Sequence, residues 1–301
     1  LSRTMDRDVA LGLYRTMQQC RLLETRAQEL FFEGLVRGTT HLGVGQEAVA
    51  AGFAGAMRPD DYTFCTYRGH NHTIARGVPM APILAELFGR ATGLLGGKGG
   101  SMHLTSVEHG AMGSYAIVGA HLPIALGAAW SAQYRGTDQV AVCFFGDGTT
   151  NIGAFHEALN LAAVWRLPVL FVCENNRYSM GMALERAEAE TGIWRKASAY
   201  RMSAERVDGM DVVAVEVAAH RATERMREDG APHLLECATY RFRAHSMFDA
   251  QLYRAKEEVE SARRHDPIPR LRVWLEEVGH LHAADLERME AEIVAEVADA
   301  V

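Results

Sequence analysis

The sequence predicts an α/β fold, a mostly parallel sheet with helices on both faces. Three observations predict it. Residues 140–145 (Val-Ala-Val-Cys-Phe-Phe) and 168–173 (Pro-Val-Leu-Phe-Val-Cys) are short, continuous apolar runs, as strands buried on both faces would be. Between them, residues 152–165 carry apolar side chains at helical spacing. Strand, helix and strand at this spacing make a βαβ unit with a right-handed crossover.

The other elements follow from the N-terminus. Residues 7–33 place Leu13, Met17, Leu23, Leu30 and Phe31 at helical intervals, and Gly34 stands where the helix would stop. Residues 46–57 and 79–90 read as further helices. Residues 93–120 are rich in glycine and poor in periodicity, which predicts an ordered but irregular stretch. Pro123 opens a helix that runs to about Tyr134. A helix over 212–228 and a strand over 234–240 continue the alternation. From Glu257 onward the chain is helical and charged, broken once at Asp266-Pro267-Ile268-Pro269. Residues 1–301 are read as one domain with helical extensions at 1–60 and 255–301. There is no internal repeat and no low-complexity segment.

Composition narrows the function. A hydrophobic content of 48% suits a substantial core. The 31 basic and 38 acidic residues leave a net charge of −7, with the basic ones dispersed, so a nucleic acid partner is not expected. Five scattered cysteines without a Cys-x-x-Cys pair suit reduced thiols in a cytoplasmic compartment. No apolar run reaches the roughly 20 residues that span a bilayer, and the first residues have no signal-peptide core. The chain starts without Met and is still helical in pattern at Val301, so residues are expected to be missing at both ends.

The chemistry lies at two predicted strand ends. The first strand ends in Gly146-Asp147-Gly148 and the second in Glu174-Asn175-Asn176-Arg177-Tyr178. In a parallel βαβ unit both ends lie at one sheet edge, where ligands bind. A carboxylate and an amide oxygen are hard ligands. With diphosphate oxygens, a backbone carbonyl and water they complete an octahedron suited to Mg²⁺. Alone, Gly-Asp-Gly is as well read as a turn and Asn-Asn as a loop; their pairing at matching strand ends favours the ligand reading. The run from Gly93 to Ser101 suggests a phosphate loop, but it lacks the Gly-Lys-Ser/Thr ending and a preceding strand.

Gly146-Asp147-Gly148 followed by Asn175-Asn176 resembles the thiamine diphosphate motif. The runs from Phe155 to Trp165 and from Cys173 to Tyr178 resemble the alpha subunits of the thiamine-diphosphate-dependent 2-oxo acid dehydrogenases of pyruvate, branched-chain acids and acetoin. The likeness extends to Gly45-Gln46-Glu47-Ala48, Tyr67-Arg68-Gly69-His70, Gly97-Lys98-Gly99-Gly100-Ser101-Met102-His103, Ile117-Val118-Gly119, Val207-Asp208-Gly209-Met210-Asp211 and the run from Tyr240 to Met247.

The resemblance implies a thiamine diphosphate-binding fold. It implies Asp147, Asn176 and the Tyr178 carbonyl on Mg²⁺, with Tyr67, Arg68, Gly148 and Thr149 on the diphosphate. The backbone at Ala116 and Val118 would hold the aminopyrimidine ring. The family usually has glycine at 116; alanine keeps the carbonyl, but a positive φ there would be costly. His41 and His245 would face the active-site channel, orienting substrate and stabilising developing charge; each is otherwise a structural histidine. His70 and His103 stand in family-like motifs with a weaker case, and Arg243 is as readily a solvated loop residue as a carboxylate contact. The family's cofactor-activating glutamate belongs to a second, pyrimidine-binding domain for which this length has no room. Glu47 reads as structural. A beta subunit is therefore expected, in an α₂β₂ heterotetramer. The implied activity is decarboxylation of a 2-oxo acid, pyruvate foremost, with reductive acylation of lipoyl groups on a dihydrolipoyl acyltransferase. Acetoin dehydrogenase or a two-carbon transfer enzyme is the alternative, and a non-catalytic assembly subunit the alternative of another class. Phe248-Asp249-Ala250 departs from the Ser-Asp-Pro usual after His-Ser-Met, which bears on substrate and on phosphorylation of the loop around Ser246.

Overall fold

The computed structural model describes residues 5–280 and 283–301. Residues 1–4 of the expected N-terminal extension, and 281–282 of the C-terminal one, lie outside the described residues. Helix α1 (Arg7–Phe32) is capped by Asp6, whose Oδ1 accepts from the backbone N–H groups of Asp8 and Val9 at 2.9 and 3.3 Å. Helix α2 (Glu47–Ala56) follows. Two elements that periodicity does not reveal come next, strand β1 (Tyr62–Thr66) and helix α3 (His70–Ala75). The apolar content of β1 is divided between two cores, Phe64 facing one and Cys65 the other, so no run announces it. Helix α4 (Met80–Leu87) precedes the glycine-rich stretch. That stretch was expected to be irregular throughout, yet residues Ala111–Tyr115 form strand β2. As a sheet edge built largely of small residues, β2 lacks the two-sided apolar run of an interior strand.

The expected βαβ unit consists of β3 (Ala141–Gly146), α6 (Gly153–Trp165) and β4 (Val169–Asn175), preceded by α5 (His121–Arg135). A short antiparallel pair, β5 (Tyr178–Ser179) and β6 (Met182–Ala183), leads to the single turn α7 (Leu184–Ala187). Strand β7 (Ser203–Asp208) is the polar edge strand that hydropathy misses. Helix α8 (Val212–Asp229) and strand β8 (His233–Ala238) match expectation. The C-terminal helices are α9 (Lys256–Arg263), α10 (Pro267–Glu277) and α11 (Ala283–Ala300). This region breaks twice rather than once, because Gly279 at φ +71° terminates α10 as well.

Six strands form one sheet in the order β2-β1-β3-β4-β8-β7, and every neighbouring pair is parallel. Helices α5 and α6 cover one face over Phe145, Phe155 and Phe171. Helices α2 and α8 cover the other over Phe53, Phe144 and Val215. After β2, the chain crosses back over β1 to enter β3. The strand order thus reverses between β1 and β3, and the carboxyl ends flanking such a switch point open into a crevice.

The glycine-rich loop is closed from within. The buried carboxylate of Glu86 on α4 accepts from the backbone N–H groups of Leu95 and Gly97 at 2.7 and 2.9 Å, and of Gly99 and Gly100 at 2.7 and 3.0 Å. Burial raises the Glu86 pKa, but these four donors outweigh it and hold the carboxyl below its ordinary value. The amides a phosphate loop would offer a ligand are already taken. Glu86→Ala leaves four inward N–H groups without their acceptor, and we expect a loss of about 2–4 kcal/mol in denaturant unfolding. A loss under about 0.5 kcal/mol contradicts this role.

Candidate active site

The carboxyl ends of β1, β2, β3 and β4, and the loop after β8, converge on one cavity of about 210 Å³. From β3 come Gly146, Asp147, Gly148 and Thr149; from β4, Glu174 and Asn176; from β1, Thr66, Tyr67 and Arg68. Tyr178, Val118 and His245 line it as well. Asp147 and Asn176, far apart in sequence, do share a crevice. Pairing of Gly146 with Glu174 in the β3–β4 ladder brings these ends level. Alternation along β4 turns the neighbouring Asn175 the other way, where its Nδ2 donates to Glu236 Oε1 on β8 at 2.8 Å.

Asp147 is 1% exposed, and among the described residues no cationic side chain is ion-paired with it. Burial raises its pKa to about 6, against the backbone N–H groups and the Ser179 hydroxyl that favour the anion. Ser179 Oγ donates to Asp147 Oδ2 at 3.3 Å. A Cβ at Gly148 would collide with the Ser179 hydroxyl, so glycine there permits this close approach. The turn after β3 is fixed by Thr150, whose Oγ1 donates to the Asp147 carbonyl at 2.9 Å and to Glu188.

Arg68 is buried as well. It donates from Nη1 to the Leu42 carbonyl at 2.6 Å and from Nη2 to the His245 carbonyl at 2.9 Å. Burial and the nearby Arg241 lower its pKa to about 10. Arg241, 1% exposed, lines the same cavity and donates from Nη2 to the Tyr253 hydroxyl at 2.8 Å. Neither guanidinium has a carboxylate partner among the described residues. Two uncompensated cations and one uncompensated carboxylate around a single cavity fit an anion and a metal ion bound together.

His41 lies behind the lining, its ring 4.4 Å from Tyr67 and 5.0 Å from His245, centroid to centroid. Burial, then Arg68, lowers His41 to about 2 and His245 to about 4. Both rings are therefore neutral at neutral pH, and the Nδ1 of each is buried without a hydrogen-bond partner. The backbone N–H of His245 donates to Asp249 Oδ2 at 2.7 Å, and Tyr253 donates to the same oxygen at 2.8 Å.

Other expected residues fall elsewhere. Ala116 follows β2 but is not among the cavity-lining residues, and its φ is not positive, so alanine there is unstrained. His70 is buried against Ser101 Oγ at 2.8 Å, and His103 is on the surface. Arg243 lines a separate small cavity with Ser246 and Asp249. Glu47 is held by Arg21, with Nε to Oε1 at 2.5 Å, and its Oε2 accepts from the Gly45 N–H at 2.9 Å. Sequence reasoning missed Gln46, Glu174 and Arg241 as lining residues. Glu174 is next to the asparagine pair and Arg241 stands two residues before Arg243, but nothing local shows which member of each run turns inward.

The model of the family described as Dehydrogenase E1 component matches residues 14–301. The chain is 43% identical over 293 residues to the alpha subunit of acetoin:2,6-dichlorophenolindophenol oxidoreductase from Bacillus subtilis, covering 97% of this chain and 88% of that one. It is 41% identical over 290 residues to the pyruvate dehydrogenase E1 component subunit alpha of Rhizobium meliloti, covering 96% and 83%. Against the somatic mitochondrial form of that subunit from Homo sapiens it is 38% identical over 302 residues, covering 100% and 76%.

The buried bases set a pH dependence. His41, His121, His233 and His245 all have lowered pKa values, so the unfolded chain binds protons that the folded one does not once pH falls below about 6.5. Stability is complete above that pH and falls toward pH 4. Asp147, raised to about 6, and Glu216, which burial also raises, oppose this, two groups against four. We expect melting temperature to drop steadily between pH 6.5 and 4.5, before the carboxylates with lowered pKa values contribute. A flat profile across that window contradicts neutral burial of these histidines.

Proposed function

The chain belongs to the Dehydrogenase E1 component family, and from that premise we propose that it is the alpha subunit of a thiamine-diphosphate-dependent 2-oxo acid dehydrogenase, decarboxylating pyruvate and reductively acylating a lipoyl group on a dihydrolipoyl acyltransferase. The carrying observation is the set of charges that remain uncompensated around one cavity: Asp147 on one side, Arg68 and Arg241 on the other. Arg68, Arg241 and the turn at Gly148 and Thr149 suit the diphosphate. Asp147, Asn176 and the Tyr178 carbonyl suit Mg²⁺. When bound, thiamine diphosphate supplies a nucleophilic carbon for the keto group and an electron sink for the loss of CO₂.

The chain's own residues do the rest. Tyr67 and His245 line the diphosphate cradle, and His41 packs against both rings from behind. As neutral imidazoles, the two histidines can each donate one N–H and accept at the other nitrogen, so they orient a carboxylate or carbonyl without adding a fixed charge. An anion beside Arg68 offsets the positive charge that, after burial, lowers them most, and raises their proton affinity as charge develops. We assign the pyrimidine contact to the backbone at Val118, which lines the cavity, and at Ala116 two residues before it.

The cavity, about 210 Å³ and open on one side, is smaller than the roughly 300 Å³ or more of pockets that bury drug-sized ligands, which suits part of a cofactor site. Its acidic lining residues, Asp147 and Glu174, are both committed at the strand ends. Around the opening Ile117 is 72% exposed, Val118 44% and Met180 64%, an apolar rim left open to water. We read this as the face for a beta subunit that brings the activating carboxylate, in an α₂β₂ assembly of one-domain alpha chains. No helix among the described residues is long and apolar enough to cross a membrane, and five unpaired buried thiols support a cytoplasmic setting. Acetoin oxidation is the second reading, favoured by the Bacillus subtilis relative. A panel of 2-oxo acids and acetoin, assayed on the assembled enzyme with an artificial electron acceptor, separates the two.

In the assembled enzyme, Asp147→Ala should reduce Mg²⁺-dependent cofactor binding about a hundredfold by calorimetry while the fold survives; unchanged affinity overturns the metal assignment. His245→Ala should lower turnover about a hundredfold or more with little loss of cofactor affinity. Equal losses, or a large fall in melting temperature, make His245 structural. The purified alpha chain with Mg²⁺ and cofactor should show no exchange of the thiazolium proton by NMR until the beta chain is added. Rapid exchange by the alpha chain alone contradicts the shared site.

A further inference from the structure

We infer that Gln46 is a positioning residue which, anchored by Glu174, sets the orientation of the Asn176 amide and so presents its oxygen to the metal. The inference rests on the metal reading above and concerns a side chain to which that reading gives no part.

Gln46 stands at the N-cap of α2, yet its side chain caps nothing in the helix. It turns instead into the cavity, 3% exposed. There its Nε2 faces Glu174 Oε1 at 3.4 Å, and its Oε1 faces Asn176 Nδ2 at 3.4 Å. The other Glu174 oxygen, Oε2, lies 3.1 Å from His72 Nε2. His72 is buried and stacked on Phe144 at 4.0 Å between centroids, so this end cannot swing away. Asn176 Oδ1 accepts from the Tyr178 N–H at 3.3 Å and is the end left for a cation.

The direction of the chain follows from the donor and acceptor inventory. A glutamate carboxylate accepts, so Gln46 must turn its NH₂ group toward Glu174. That leaves the Gln46 carbonyl for Asn176, which must then answer with its own NH₂. The Asn176 oxygen is left at the far end, where a hard cation requires it. Reversing Asn176 alone sets two oxygens against each other and turns an N–H group to the metal; reversing Gln46 alone sets its oxygen against Glu174 and its NH₂ against that of Asn176; reversing both restores the link between the amides but leaves an oxygen against Glu174 and an N–H group at the metal. An asparagine ligand needs such a device, because its two ends differ chemically and nearly coincide in shape; an aspartate would not.

The test is the Mg²⁺ concentration that half-saturates thiamine diphosphate binding to the assembled enzyme, read by calorimetry without turnover. Groups that orient a metal ligand are typically worth 10–100-fold in affinity. Gln46→Leu should raise the half-saturating concentration about tenfold or more, with diphosphate binding recovered at high Mg²⁺. Glu174→Gln, nearly isosteric and able to donate or accept, should move it in the same direction, and it carries the test if Gln46→Leu fails to assemble. In an Asn176→Asp background, where both ligand ends are oxygen, adding Gln46→Leu should cost less than twofold. Asp147→Ala serves as the control. If Asp147→Ala abolishes Mg²⁺ dependence while Gln46→Leu and Glu174→Gln stay within twofold of the parent, the orienting role is wrong and the metal reading stands. An equal cost of Gln46→Leu in the parent and in the Asn176→Asp background also overturns it, since packing and not orientation is then at work. If Asp147→Ala changes nothing, the metal reading itself fails.

Discussion

Charge without a partner is the constraint from which the rest of this structure follows. Burying Asp147, Arg68 and Arg241 removes each from water, and ordinarily such groups pair or shift toward neutrality. The protein pairs many of its other ions. Asp61 is held by Arg227 and by the N–H groups of Arg58 and Val140, and Glu47 by Arg21. At the strand ends it does not. The raised pKa of Asp147 and the lowered one of Arg68 record what that costs. A site that keeps unlike charges apart across a cavity suits the polyanion and cation proposed for it.

The fold holds this arrangement in place. Parallel strands deliver their carboxyl ends to one edge, and the reversal between β1 and β3 leaves a gap there that no crossover helix covers. Interior apolar ladders fix the register, so Asp147 and Asn176 need no help from one another to stay in place. Around them, polar tethers hold the loops: Thr150 onto Asp147, Asp249 onto His245, and Arg68 across the Leu42 and His245 carbonyls. The last of these binds two loops distant in sequence to the strand that carries Tyr67. In the function proposed, cofactor affinity and loop order are coupled through this single guanidinium.

The same edge suits the proposal that a second chain completes the site. Each acidic side chain that lines the cavity sits at a strand end, against the subsite proposed for phosphate and metal. Beyond Val118 the lining gives way to exposed Ile117 and Met180. Apolar surface around a charged cleft is a poor boundary with water and a good one with protein. Excluding water there also strengthens every charge interaction inside.

Local chemistry, by itself, determined the βαβ unit, its two strand-end motifs and most helices, because continuous apolar runs and 3.6-residue spacing are written into neighbouring residues. Family likeness added the roles proposed for Tyr67, Arg68, His41 and His245. Only the tertiary structure decided the rest. Strands β1, β2 and β7 escaped notice because a strand that divides its apolar residues between two cores, or lies at an edge, has no local signature. The glycine loop lacked the marks of a phosphate loop in sequence, but that the Glu86 carboxylate of the preceding helix fills it shows only in the folded chain. Gln46, Glu174 and Arg241 became part of the site only when strand ends from separate parts of the chain met. Which way a polar side chain turns is set by the partner that satisfies it, and that partner is brought near by the fold, not by the sequence around it.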